Sequence, residues 1–177
     1  YGKGSMPIFD DEAAIAVVGT RNCTAYGTDV ASQLGYELAR QGALVLSGMA
    51  KGIDTAAMKG ALRAGGFTAA VLGGGVDVIY PAENRRLYED VAATGVLLSE
   101  YPPGTEPIAS HFPVRNRILS GLSLAAVVVE APERSGALIT ASTALEQGRE
   151  VFAVPGPINA PDSKGCNALI RDGAGLV

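Results

Sequence analysis

Two arginines and an asparagine interrupt an apolar stretch in HFPVRNRILSGLS, residues 111–123, and another arginine breaks the turn GTRNCT, residues 19–24. A guanidinium beside apolar residues is either a core ion pair or a binding device, since its fork of donors matches carboxylate and phosphate oxygens. Arg115 and Arg117 stand two apart, which on a helix separates them by about 200°. One can therefore face a ligand while the other turns inward, where it needs a carboxylate partner such as Glu100 or Glu130. Phe112 can stack on a nucleobase or simply pack in the core.

Other segments carry the same kind of chemistry. GTRNCT occupies the place after a strand where a dinucleotide site has G-x-G-x-x-G, and Arg21 in place of the second glycine obstructs pyrophosphate approach. Ordinary NAD binding is disfavoured, whereas the arginine can itself hold a phosphate. The glycines at 73–75 fit a strand-to-loop bend as well as a phosphate cradle. SGALIT, 135–140, offers Ser135 as a helix cap beside free N–H groups that an anion can use. No G-x-x-x-x-G-K-[ST] loop occurs. His111 is the only histidine, with no triad or metal cluster assembled around it, so neither catalysis nor metal binding is expected. Asp54 and Asp77 follow glycine-bearing turns and read as turn or cap residues before they read as bases.

The elements that must position these residues are legible. Runs ending in Gly or Ser at 15–19, 43–48, 68–75, 95–100, 124–131 and 150–156 read as six buried strands. Helix patterns lie between them, near 25–41, 53–65, 83–94, 114–122 and 136–148. This alternation predicts an α/β fold with a doubly wound, mainly parallel sheet. Ligands of such sheets bind beyond the carboxyl ends of the strands. There the chain places glycines, hydroxyls and the cations Arg21, Lys51, Arg85, Arg86, Arg134 and Lys164.

Composition sets outer bounds. The 177 residues suit one domain, and a formal charge of -4 excludes a chain that coats nucleic acid or membrane by bulk charge. A local basic face is still allowed. Two cysteines fit a reducing cytoplasm better than a disulfide framework. No apolar run is long enough for a membrane span. YGKGS, 1–5, reads as a cloning scar outside a single domain over 6–177, and the end at GAGLV suggests a domain cut from a longer chain.

VGTRNCTAYG, SGMAKGIDTAA, AVLGGGVDVIYPAENRRL, LLSEYPPG, FPVRNRILSGLS, VVVEAPERSGALITA, and VFAVPG followed by GCNALIRDGA together resemble the DNA-processing protein A family (DprA, also called Smf). The likeness spans nearly all of residues 13–174, in order. It implies an extended Rossmann-like domain, with the family's flanking N-terminal helical and C-terminal winged-helix domains missing. It also implies a bacterial, cytoplasmic, dimeric protein of natural transformation that binds and protects single-stranded DNA and loads the RecA recombinase. No enzymatic step and no cofactor are expected. The family's phosphate-binding arginine falls on Arg21 and its DNA-contacting aromatic on Phe112. Gly19, Thr20, Ser47, Gly48, Gly73, Arg115, Asn116, Ser135 and Gly136 lie in matching segments, and Lys51 adds charge beside them. Met58 departs from the family, which commonly has His there.

Two rivals come from other classes. One is a nucleotide-binding hydrolase similar to the cytokinin-activating phosphoribohydrolases, whose PGGxGTxxE glutamate has no counterpart in APERSGALITA. The other is a nucleotide-sensing domain whose rim holds a small phosphorylated ligand.

Overall fold

The computed structural model describes residues 1–177. Its strands are β1 (Gly2–Gly4), β2 (Ala14–Val18), β3 (Leu44–Ser47), β4 (Thr68–Val71), β5 (Val96–Leu98), β6 (Ala125–Val128), β7 (Glu150–Ala153) and β8 (Gly175–Leu176). Six α-helices alternate with them: α1 (Ala25–Arg40), α2 (Ile53–Arg63), α3 (Arg85–Thr94), α4 (His111–Gly121), α5 (Gly136–Glu146) and α6 (Lys164–Arg171).

All eight strands form one sheet in the order β1-β5-β4-β3-β2-β6-β7-β8. Every pairing is parallel except that of β1 with β5. Alternate side chains of a strand go to opposite faces, and the core divides accordingly. Ala16, Val18, Ala126, Val128 and Val151 meet α5 and α6, while Leu44, Leu46, Ala69 and Val71 meet Leu119 of α4. On the other face Val17, Val45 and Val127 meet α1 and α2, and Ala70 and Leu97 meet Met58, Leu87 and Val91 of α2 and α3. Three helices thus cover each face, which is the doubly wound, Rossmann-like arrangement. The strand order reverses beside β2, between β3 and β6, and a crevice opens there at the carboxyl ends.

The six expected strands are present, five of them shorter than expected and β2 shifted by one residue toward the N-terminus. Both additional strands are edge strands. Gly2–Gly4, set aside as a scar, pairs antiparallel with β5, Gly2 opposite Leu98 and Gly4 opposite Val96. Tyr1 N donates to the Ser99 carbonyl at 2.7 Å, so this segment takes part in the sheet. Helix α4 begins three residues before the expected start, with Pro113 inside its first turn, where a missing N–H costs nothing. Helix α6 was not expected. No helix is long and apolar enough to cross a membrane.

Candidate nucleic-acid interface

The turn after β2 is fixed by its backbone. Thr20 N–H donates to the Glu130 carbonyl at 2.8 Å, and the Thr20 carbonyl accepts from Ile53 N–H at 3.3 Å. Helix α1 starts directly afterwards. Its cap, Thr24, accepts from Gly27 N–H, while Thr24 N–H and Oγ1 donate to the buried Glu130 carboxylate at 2.8 and 2.7 Å. Glu130 is therefore occupied with a helix cap and partners no arginine. Arg21, between these anchors, is exposed.

The turn after β3 is held from inside. Gly48 and Ala50 N–H groups both donate to Oδ2 of the buried Asp54, at 3.0 and 3.3 Å. Between them Met49 takes a left-handed φ of 60°, a strained conformation for a residue with a side chain. Asn84 Nδ2 donates to the Met49 carbonyl at 2.9 Å and helps hold it. The turn thus makes an anion nest already filled by the protein's own carboxylate. Asp54 serves as the turn residue that its sequence context suggested.

Arg115 is the inward arginine, 4% exposed. Its Nη1 donates to the Gly48 carbonyl at 2.8 Å and to the Val71 carbonyl, and its Nε donates to Asn116 Oδ1 at 3.3 Å. The carboxylate that faces it is Asp54, and neither expected candidate takes that place. Burial pulls the Arg115 pKa down to about 10, opposed by Asp54 and reinforced by Arg21. Burial likewise raises Asp54, with Arg115 and the Ala50 and Gly48 N–H groups working against the shift. Arg117 points outward and pairs with Glu100 at 2.7 Å.

Phe112 stands at the mouth of the crevice, half-buried. The Arg21 guanidinium lies over its ring, 4.9 Å from the centroid, and Tyr80 stacks on it at 5.6 Å with 26° between planes. These three side chains line both of two clefts. The larger, about 530 Å3, is lined by Gly19, Thr20, Arg21, Phe112, Arg115, Asn116, Ser135 and Gly136, together with Arg134 and Asp54. The smaller, about 290 Å3, is lined by Arg21, Gly48, Lys51, Gly73, Phe112 and Arg115. Eleven of the twelve expected site residues therefore meet around one stack.

The twelfth is corrected. Ser47 is fully buried and its hydroxyl donates to the Val17 carbonyl at 2.7 Å, so it lines neither cleft. Lys51 reaches the smaller cleft paired with Glu83, which blunts its charge. Ser135 caps α5 by accepting from Ala137 N–H at 3.3 Å. Arg85, Arg86 and Lys164 line neither cleft, and Arg86 sits 3.8 Å from Asp90 on α3. His111 is built into the scaffold, its Nδ1 2.9 Å from the Gly73 carbonyl and its ring stacked on Tyr101 at 3.9 Å.

Two further lining residues lie in segments quoted above but were not singled out within them. Tyr80 lies in a proline-bearing loop that only the fold carries to Phe112. Thr140 is a helical hydroxyl indistinguishable by pattern from its neighbours, yet it lines the larger cleft while 2% exposed. The crevice thus joins cations, half-buried aromatics and small polar groups without a cluster of acidic, His or Cys side chains able to hold a metal.

The comparisons agree with this architecture. The chain is 48% identical over 174 residues to the DNA processing protein DprA of Bacillus subtilis, covering 98% of this chain and 59% of that protein. It is also 48% identical over 163 residues to DprA of Streptococcus pneumoniae, covering 92% of this chain and 57% of that one. The chain thus spans less than two thirds of these relatives. The X-ray structure of the Streptococcus pneumoniae protein superposes with a TM-score of 0.94 at 45% identity, over 99% of this chain and 62% of that one. DNA processing protein A from Helicobacter pylori, described for its single-stranded DNA binding mode, matches with a TM-score of 0.91 at 32% identity, over 99% and 80%. A molybdenum cofactor carrier protein from Chlamydomonas reinhardtii, 21% identical with a TM-score of 0.62 over 94% and 89%, shares the fold alone. The model for DNA recombination-mediator protein A matches residues 1–177, and the chain belongs to that family.

Proposed function

We propose that this chain binds single-stranded DNA at the strand-end crevice, with Arg21 and Arg134 drawing in phosphates and Phe112 offering its ring to an unpaired base. The observation that carries the reading is the contact of Phe112 with both Arg21 and Tyr80 where the three line two clefts. An aromatic platform beside cations suits a strand whose bases are free, and it needs no particular sequence. The Helicobacter pylori relative, described as binding single-stranded DNA, supports the same assignment. Family membership extends it to a cytoplasmic homodimer of natural transformation that shields incoming strands and hands them to the RecA recombinase. Binding alone suffices for this role. The carboxylate lining the larger cleft, Asp54, accepts from two backbone N–H groups and faces Arg115, which supports a structural role for it.

Fluorescence anisotropy with oligo-dT tests the reading. Arg21→Ala is expected to weaken binding at least about tenfold with an unchanged circular dichroism spectrum. Phe112→Ala is expected to cost about 1–3 kcal/mol of binding. Wild-type affinity in both variants would refute the proposal. The size of the larger cleft also suits a mononucleotide, since small-molecule sites occupy roughly 300–1,000 Å3. Nucleotide that co-purifies with the chain and competes with oligo-dT would favour that second reading.

A further inference from the structure

Arg115 belongs to the segment that gives the crevice its aromatic residue and lines both clefts, yet its Nε and Nη1 donors are spent on the protein itself. It spans between turns: one nitrogen reaches the Gly48 carbonyl just after β3 and the Val71 carbonyl at the end of β4, 67 and 44 residues away along the chain. Asp54, which holds the β3 turn through Gly48 and Ala50, supplies the opposing charge. Gly48 leaves room for both, because a Cβ there would lie 2.6 Å from Arg115 Nη2 and 2.7 Å from Asp54 Oδ2. Phe112 stands three positions before Arg115, on the same side of α4. Fixing α4 through Arg115 therefore also fixes the stretch of backbone that carries the ring.

We infer that Arg115 is a positioning residue that fastens α4 to the ends of β3 and β4 and so sets the Phe112 ring beneath Arg21, rather than a ligand of DNA phosphate. The inference rests on the proposed single-stranded DNA binding, but its first test does not. The sequence contains no tryptophan, so Phe112→Trp introduces a single reporter at the ring position. In that background Arg115→Lys keeps the charge but gives up the planar fork. It is expected to shift Trp emission to the red and raise acrylamide quenching, with the melting transition still cooperative. An unchanged spectrum would overturn the inference even if DNA binding is real.

Binding then separates positioning from direct contact. Arg115→Lys is expected to weaken dT12 by about the same factor as Phe112→Ala, and the double variant to be no weaker than either single by more than about twofold. Its slope of log affinity against log salt stays at the wild-type value, whereas Arg21→Ala lowers the slope by about 0.7, one phosphate's share on a single strand. A slope reduced in Arg115→Lys, or fully additive losses, would make Arg115 a phosphate ligand and refute the proposal. If Arg115→Lys does not fold, Asp54→Asn decides by sign. Loosening the fastening weakens dT12, while freeing a phosphate-binding arginine from its counter-charge strengthens it. Failure of the wild-type chain to bind dT12 would instead count against the proposed function and leave the fluorescence result standing.

Discussion

The turn after β2 and the turn after β4 are both led by glycine at the carboxyl edge of the sheet, yet they serve different neighbours. The first, at 19–21, is pinned from below by Glu130 and Ile53 and presents Arg21 to solvent above a cleft. The second, at 73–75, faces its own chain. A Cβ on Gly73 would lie 2.8 Å from the Phe112 ring, and one on Gly74 would lie 2.8 Å from the Thr105 carbonyl. A glycine-rich turn at a strand end therefore marks close approach without saying what approaches. In one turn the space above opens into a cleft, and in the other it was taken by α4 and the loop before it.

Substitutions at the glycines can break this contrast. Gly19→Ala should have the largest effect on stability, because the new carbon would lie 2.7 Å from Ile53 Cβ and 2.9 Å from the Glu130 carbonyl, in a part of the core with little freedom. A loss of about 1–3 kcal/mol in urea unfolding is expected, and a neutral result would mean the turn is not pinned as described. Gly73→Ala should act on binding more than on folding, since the displaced neighbour is a half-buried ring that can swing outward. Oligo-dT affinity should fall about threefold with less than about 1 kcal/mol of stability lost. Affinity that holds while stability collapses would show that Gly73 supports the core instead of the platform. The smallest effect belongs to Gly136, exposed at the start of α5, where a Cβ would meet nothing within 4 Å. Gly136→Ala should raise stability by up to about 0.5 kcal/mol, because it lowers the entropy of the unfolded chain.

How much of this was legible beforehand depended on the range of the interaction. The central strands announced themselves as short Val, Leu and Ala runs, since a parallel sheet buried on both faces must be apolar throughout. The edge strands Gly2–Gly4 and Gly175–Leu176 carry no such run and are paired on one side, so nothing in their composition distinguishes them from loop. Helix α6 is eight residues long and contains a glycine, too short for its periodicity to stand out. At the site, Arg21 and Phe112 could be singled out because their segments are unusual locally. That one of Arg115 and Arg117 turns inward also followed from helical geometry. Which one, and toward what, did not follow, because the answer lies in carbonyls at Gly48 and Val71 that only the folded sheet brings near. The inward placement of Ser47 was hidden for the same reason, as its hydroxyl is claimed by the neighbouring strand at Val17.

The central claim is that the strand ends form a small basic crevice, with an aromatic platform, suited to a flexible polyanion. It is tested most directly by anisotropy titrations of matched single-stranded and duplex oligonucleotides at 50 and 200 mM salt. With two or three exposed cations at the crevice, the single strand should bind more tightly at both concentrations and weaken roughly tenfold between them. Equal affinity for duplex, or affinity indifferent to salt, would contradict the account.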